Sequence, residues 1–145
     1  MKIIKKATRE NLPKLLHFVE QACQSLGIPE ETSQNLQLAV DEACINIIDH
    51  GYQGRSPGTI ELTIQVGDQQ VAIEVVDFGR KFDPTTLPTP DISSSLEERP
   101  VGGLGVYLMM RLMDEVHYSS DPEQGNCLQL IAKFGIKPEP DKKQY

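Results

Sequence analysis

Apolar residues recur at helical spacing in two stretches of the amino-terminal part of the chain. The first stretch follows Thr8, a residue type that caps helices, and ends at Gly27. The second follows Pro29, which favours a helix start, and runs to about His50. Because positions three and four residues apart share one side of a helix, each stretch predicts an amphipathic helix. The apolar positions are Leu12, Leu15, Leu16, Val19 and Cys23 in the first helix and Leu36, Val40, Ala43 and Ile47 in the second.

A different pattern, in which every second residue is aliphatic, follows the second helix. It covers residues 59–66, and side chains that alternate in this way line the buried face of a strand. Gly67 and Asp68 then mark a turn into a second such run at residues 71–76. These two runs predict a hairpin, and the isoleucines within residues 1–6 predict an edge strand.

The remaining half of the chain contains a long stretch without any apolar period. Residues 82–102 are rich in proline and serine, which predicts a long loop. Loops of this length within compact domains are usually either functional lids or disordered, and both interpretations stay open. A third helix follows, and residues 114–120 and 127–134 predict a closing pair of strands around a turn at Gly125 and Asn126. Since strands and helices occur in runs, the order favours an α+β two-layer sandwich with three main helices.

Length and composition fit one ordinary globular domain. The chain has 145 residues, of which 39% are hydrophobic and 24% charged, values typical of a chain that folds alone. We assign residues 1–136 to a single domain and residues 137–145, rich in proline and lysine, to a flexible tail. The formal net charge of −7 argues against nucleic acid as a partner, because such proteins carry basic patches. A macromolecular partner is therefore expected to be a protein.

The cysteines and the hydropathy pattern bear on the cellular compartment. Cys23, Cys44 and Cys127 are odd in number and widely spaced, so they support neither a disulfide framework nor a zinc site. They are interpreted as small hydrophobic residues in a reducing compartment. No run of about 20 apolar residues indicates a membrane span, and no signal peptide precedes the first helix. The sequence predicts a cytoplasmic protein without membrane attachment.

Two polar residues of the second helix are candidates for chemistry. Glu42 and Asn46 are four residues apart and therefore share a face of the helix. A carboxylate accepts a proton from a hydroxyl group, and an amide oxygen is a suitable ligand for Mg²⁺. A solvated polar face explains this pair as well, so both interpretations stay open. His50, at the end of the same helix, either contacts a ligand or favours the carboxyl end of the helix.

A second candidate is the carboxylate at the end of the predicted hairpin. Asp77, followed by Phe78 and Gly79, stands where a buried strand gives way to a turn. Its side chain can accept a hydrogen bond from an exocyclic amine such as that of adenine. Aspartate and glycine are also favoured in turns for local reasons, so a structural turn is the alternative interpretation.

A third candidate is the glycine-rich segment at the junction between the long loop and the third helix. Gly102, Gly103, Leu104 and Gly105 allow backbone N–H groups to face an anion, and the helix start adds partial positive charge. Such a site suits a triphosphate, whereas tight packing is the alternative explanation for the glycines. The segment is not a Walker A loop, because no Gly-Lys-Ser/Thr follows it.

Taken in order, these three segments resemble the motifs of a known superfamily. Residues 38–46, 75–84 and 102–109 are similar to the Asn box and the two glycine boxes of the Bergerat-fold ATPases, which include gyrase and histidine kinases. The E-A-x-x-N, F-D-P and G-G-L-G-x-x-L-M patterns resemble the anti-sigma-factor serine kinase branch in particular. The similarity covers nearly the whole chain, and it implies a two-layer sandwich with a mixed, mainly antiparallel sheet.

The resemblance implies that the chain binds ATP and Mg²⁺ and that residues 82–102 are the ATP lid. It gives Glu42 the role of general base, Asn46 that of Mg²⁺ ligand and Asp77 that of adenine reader. The further nucleotide contacts in this interpretation are His50, Gly79, Phe82, Gly102, Gly103, Leu104 and Gly105.

Members of this branch bind a sigma factor and phosphorylate a serine on an antagonist protein, often as homodimers. The resemblance therefore implies an ATP-dependent serine protein kinase that acts as an anti-sigma factor. A nucleotide-sensing switch of the same fold without phosphotransfer is the alternative, and a detached histidine-kinase catalytic domain is a second one. Three positions depart from the pattern: Lys81 replaces a glycine, Asn126 replaces a threonine, and Asp49 replaces a basic residue.

Overall fold

The computed structural model describes residues 1–53, 56–86 and 103–135. Within these ranges the elements follow the predicted order of strand, two helices, two strands, helix and two strands. The strands are β1 (Lys2–Lys6), β2 (Thr59–Gly67), β3 (Gln70–Asp77), β4 (Glu115–Asp121) and β5 (Gly125–Lys133). The helices are α1 (Leu12–Ser25), α2 (Glu30–Asn46) and α3 (Gly103–Leu112), and shorter turns lie at Arg9–Asn11, Ile47–Gly51 and Pro84–Thr86.

The strands form one sheet in the order β1-β2-β3-β5-β4, and each of these neighbouring pairs is antiparallel. The expected mixed sheet is thus antiparallel throughout the part of the chain that the structure describes. Strand β1 pairs with β2 alone, which confirms the predicted edge strand. The α+β two-layer prediction is confirmed as well.

The core lies between one face of the sheet and the three helices. Every second residue of β2 and β3 projects into it, as the alternation predicted, and complete burial of one such aliphatic side chain contributes about 1.5–3 kcal/mol. Of the stripe predicted for α2, Leu36, Val40 and Ala43 are buried and Ile47 is partly buried. The aliphatic residues that the strands β2 and β3 bury are Ile60, Leu62, Ile64, Val71, Ile73 and Val75.

The boundaries of the helices agree with the sequence signals at Gly27 and Pro29, but not at Thr8. Gly27 has a φ of 73°, which glycine adopts without strain, and it follows the end of α1. Thr8 makes no capping hydrogen bond, because a 3₁₀ turn at Arg9–Asn11 separates it from α1. The capping prediction for Thr8 was therefore wrong.

The turn between β4 and β5 also differs from the prediction. It lies at residues 122–124, and Gly125 and Asn126 already belong to β5. The carboxylate of Asp121 accepts the backbone N–H groups of Glu123 at 2.7 Å and Gln124 at 3.2 Å, which stabilises the turn at this earlier position. As a result, Asn126 pairs with Asp77 across the sheet.

Two predicted segments fall largely or wholly outside the described residues. Of the predicted lid, only residues 82–86 are described; they include the turn Pro84–Thr86, in which Pro84 is buried. Residues 87–102, with Gly102, and the predicted tail at 137–145 are outside the described ranges. The domain limits of 1–136 stay a prediction.

The cysteines are free: Cys23 and Cys44 are buried, and Cys127 is partly buried. Among the helices that the structure describes, none has the length and apolar character needed to cross a membrane.

Candidate functional site

A cleft opens where α2, the carboxyl end of β3, the following loop and α3 meet. It contains about 450 Å³ of space not filled by protein atoms, part of it open to solvent. Its walls are mostly apolar, with a few polar groups at fixed positions. The lining residues are Ala43, Asn46, Ile47, Gly51, Val75, Asp77, Arg80, Phe82, Pro84, Met109, Tyr118 and Leu128.

Asp77 is the buried carboxylate of this cleft, with 6% of its surface exposed. One oxygen, Oδ1, accepts the backbone N–H of Gly79 at 2.8 Å and the Nδ2 of Asn126 at 3.0 Å. Burial raises the pKa of Asp77, and the hydrogen bonds from Asn126 and Gly79 oppose that rise. The turn interpretation is confirmed, since the Gly79 bond closes a turn, and the same carboxylate also lines the cleft.

The loop after Asp77 lies directly against the end of the second helix. The backbone N–H of Arg80 donates to the carbonyl of Gly51 at 2.7 Å, and a Cβ on Gly79 would overlap that carbonyl. Gly51 closes a π-helical turn, Ile47–Gly51, a wider turn that is frequent at functional sites. The backbone at Gly79 therefore lies in close contact with Gly51.

Glu42 and Asn46 lie on the side of α2 that faces the cleft and α3, and both are partly buried. The carboxyl of Glu42 packs against the Cα of Gly105, where an added Cβ would overlap it. Burial raises the pKa of Glu42, a hydrogen bond with Asn46 opposes the rise, and the charge of Asp41 adds to it. The alternative of a freely solvated helix face is therefore wrong for this pair.

The glycine-rich segment opens α3 as predicted. Helix α3 begins at Gly103, so Leu104 and Gly105 lie in its first turn, whereas Gly102 is outside the described residues. Unpaired N–H groups of a first turn attract anions. The contact with Glu42 explains why position 105 holds a glycine.

His50 and Phe82 differ in their relation to the cleft. Phe82 lines it, and its backbone N–H donates to the hydroxyl of Tyr118 at 3.1 Å. His50 is exposed and lines a neighbouring depression that shares Gly51, Arg80 and Phe82 with the cleft. The structure therefore places His50 beside the main cleft and not on its wall.

Three residues that were not among the predicted site residues complete the site. Asn126 contacts Asp77, Tyr118 contacts the loop at Phe82, and Met109 forms part of the apolar wall. A usable signal existed for Asn126, because it shares the inward register of β5 with Leu128 and Leu130, where a polar side chain needs a partner.

The donor set suits Mg²⁺ held together with phosphates better than a metal held by protein alone. Among the described residues there is no cluster of three or more His, Cys, Asp and Glu side chains that would hold a metal. Mg²⁺ commonly takes one or two protein oxygens and completes its shell with substrate phosphates and water. The side-chain oxygen of Asn46, on the cleft wall, fits that role.

Comparison with known proteins identifies relatives over most of the chain. Serine-protein kinase RsbW of Halalkalibacterium halodurans is 33% identical over 122 residues, which cover 81% of this chain and 72% of that protein. Serine-protein kinase RsbW of Bacillus mycoides is 31% identical over 100 residues, covering 66% of this chain and 62% of the relative. Serine/threonine-protein kinase BtrW of Bordetella bronchiseptica is 34% identical over 83 residues, with coverages of 57% and 58%.

A solved structure shares the fold at low identity. The histidine kinase domain of the blue-light activated histidine kinase from Erythrobacter litoralis EL346 superposes with a TM-score of 0.51 at 16% identity, covering 85% of this chain and 61% of that one. The family model described as histidine kinase-like ATPase domain matches residues 6–132. The chain therefore belongs to the histidine kinase-like ATPase domain family.

Proposed function

We propose that the protein is an ATP-dependent serine protein kinase that binds a regulatory protein and phosphorylates a serine on its antagonist. The observation that carries the proposal is the placement of Glu42 against the first turn of α3, on the same helix as Asn46, which lines the cleft together with Asp77. The named serine kinases among the relatives support the type of enzyme.

At the closed end of the cleft, Asp77 reads the base. Its Oδ1 is occupied by protein donors, and Oδ2 takes no hydrogen bond from any described residue. A carboxylate only accepts, so Oδ2 matches the 6-amino group of adenine. The aliphatic side chains of Ile47, Val75 and Leu128 provide an apolar surface for the ring.

At the open end, Asn46 and the first turn of α3 hold the phosphates. The backbone N–H groups of Leu104 and Gly105 belong to a helix start, where anions are stabilised. Asn46 would bind Mg²⁺, which offsets negative charge on the phosphates. These groups fix the direction of transfer, and such positioning supplies most of the catalysis in phosphoryl transfer.

Glu42 acts as the general base. A bond forms between the serine oxygen and the γ-phosphorus, the bond to the β,γ-bridging oxygen breaks, ADP leaves, and the serine proton passes to Glu42. Because burial raises the pKa of Glu42, its carboxylate is a stronger base than an exposed glutamate.

The partners follow from the resemblance to the anti-sigma-factor kinases. In this proposal a sigma factor is the regulatory partner, an antagonist protein carries the acceptor serine, and the kinase works in the cytoplasm as a homodimer. The net charge of −7 favours protein over nucleic acid as the bound macromolecule.

The test is a capture experiment with the full chain. The immobilised protein is incubated with lysate of its source organism in Mg-ATP or Mg-ADP, and the captured proteins are identified by mass spectrometry. With the wild type in Mg-ATP, we expect one captured protein to gain phosphoserine. With Glu42→Gln, the same protein should remain unphosphorylated. Exchange of partners between ATP and ADP without any phosphoserine would instead support the switch without phosphotransfer.

Gly105→Ala is expected to lower phosphoryl transfer on the order of 100-fold, because the added methyl group displaces the carboxyl of Glu42. The displaced group is the end of a flexible side chain, so the fold should tolerate the change. ATP affinity, measured by calorimetry, is expected to change little. Gly67→Ala is the control, since a Cβ there meets the Gln70 side chain at an ordinary 3.8 Å. Undiminished transfer by Gly105→Ala would contradict the placement of the base.

A further inference from the structure

A buried amide lies next to the proposed base-reading carboxylate. Asn126 of β5 is 4% exposed and stands opposite Asp77 of β3 in the sheet. Its Nδ2 donates to Asp77 Oδ1 at 3.0 Å and to the carbonyl of Gly79 at 3.0 Å. Its Oδ1 accepts the hydroxyl of Ser120, from β4, at 2.7 Å. The amide thus links two strands and the loop that follows Asp77.

These bonds allow only one orientation of the amide. A side-chain amide has two N–H donors, and here both point at acceptors, Asp77 and Gly79. If the amide were turned over, its oxygen would face those two acceptors, and its NH₂ group would face the hydroxyl of Ser120. The acceptors Asp77 and Gly79 therefore fix which side of Asn126 carries the donors. The hydroxyl of Ser120 can donate or accept, and here it holds the amide in place by donating to its oxygen.

The orientation of Asn126 determines which oxygen of Asp77 is available to a ligand. Oδ1 already receives two donors, from Gly79 and Asn126, whereas Oδ2 receives none from the described residues. Without the amide, Oδ1 would keep a single donor, and rotation of the carboxylate would exchange its two oxygens at a smaller cost. Asn126 itself has no donor left for a ligand.

We propose that Asn126 is a positioning residue for purine selection, which fixes Asp77 so that one oxygen is kept for the 6-amino group of the nucleotide. Ser120 assists by holding the amide oxygen in place. The proposal rests on the proposed ATP site and concerns its selectivity. It assigns to Asn126 an effect on which purine is bound, in addition to any effect on stability.

The test compares two nucleotides that differ only in the group being read. ATP and purine riboside triphosphate, which lacks the 6-amino group, are titrated by calorimetry in Mg²⁺ into the wild type and the variants Asn126→Ala, Ser120→Ala and Ser119→Ala. The quantity of interest is the affinity ratio of ATP to the nucleotide without the amino group. Ser119 is the matched control, because it lies on the exposed face of the same strand as Ser120.

Asn126→Ala is expected to reduce this ratio roughly tenfold, the effect of weakening one hydrogen bond to a charged group. Ser120→Ala should reduce it by a smaller factor, and Ser119→Ala should leave it unchanged. If Asn126 had only a structural role, its substitution would weaken the binding of both nucleotides by the same factor, and that result would overturn the proposal. If Asn126→Ala fails to fold, the ratio for Ser120→Ala decides, and an unchanged ratio then overturns it.

The readout separates this inference from the proposed function. It depends on binding alone, so absence of serine phosphorylation with normal ATP binding would refute the kinase and leave the selectivity result valid. A wild type that binds neither nucleotide would refute the ATP site and this inference together. Thermal melting of each variant accounts for changes in stability.

Discussion

Glu42→Gln is expected to lower phosphoryl transfer by a factor of about 10²–10⁴, the usual contribution of a general base, while ATP still binds. Glutamine keeps the shape of the side chain and its packing against Gly105, but an amide does not take up the serine proton. The rate is measured as phosphoserine formed on the captured antagonist with radiolabelled ATP, and affinity is measured by calorimetry. Glu31→Gln, an exposed carboxylate on the same helix, is the control and should transfer normally.

The pH profile provides an independent check on the role of Glu42. A base must be ionised to act, so the rate falls as the pH drops through the pKa of Glu42. Since burial raises that pKa, the acidic limb of the wild-type profile should lie at higher pH than for an ordinary glutamate. The limb should vanish in Glu42→Gln. Equal transfer by this variant at every pH would refute the assignment.

Asp77→Asn is expected to weaken ATP binding roughly 100-fold. Loss of one hydrogen bond to a charged group weakens binding by at least about tenfold, and the expected effect of this substitution is larger than that minimum. The two donors at Oδ1, from Gly79 and Asn126, keep the oxygen of the new amide on their side. Its NH₂ group then takes the place of Oδ2 and meets the 6-amino group of adenine, so that donor faces donor. The melting temperature should change little, because the turn and sheet contacts persist.

Inosine triphosphate makes this prediction sharper. Its 6-oxo group accepts a hydrogen bond, so the Asp77→Asn variant should bind it better relative to ATP than the wild type does. Asp68→Asn, in the exposed turn between β2 and β3, is the control and should keep the wild-type preference. A variant that loses affinity for both nucleotides equally would show that Asp77 supports the fold and does not read the base.

The secondary structure was predictable because its signals are local. Pro29 and Gly27 mark helix ends through backbone conformations that depend on the residue itself, and alternation in β2 and β3 reflects one buried face. The turn before β5 was misplaced because Gly125 and Asn126 form a common turn pair, whereas the hydrogen bonds of Asp121 decided the position. Competing turn signals of similar strength are not resolved by sequence alone.

The site was predictable in its components but not in its contacts. The sequence identified Glu42, Asp77 and Gly105 as separate candidates, and their motifs supplied the family. That the carboxyl of Glu42 packs on Gly105 depends on how α2 and α3 lie together, which no local pattern contains. The partnership of Asn126 with Asp77 likewise depends on the register of β3 and β5. Such contacts arise from tertiary packing.

The junction of Gly51 and Gly79 has a consequence for how this chain tolerates mutation. Main-chain atoms of Gly51 and Gly79 meet there, and the hydrogen bond of 2.7 Å from Arg80 to Gly51 is made by the backbone N–H and not by the side chain of Arg80. The spacing between the helix that carries Asn46 and the strand that ends in Asp77 is therefore set by backbone dimensions. Val75, Met109 and Leu128 belong both to the hydrophobic core and to the cleft wall, so substitutions there change stability and cleft shape together. At the glycine junction, by contrast, any side chain larger than hydrogen at position 79 would push the two backbones apart.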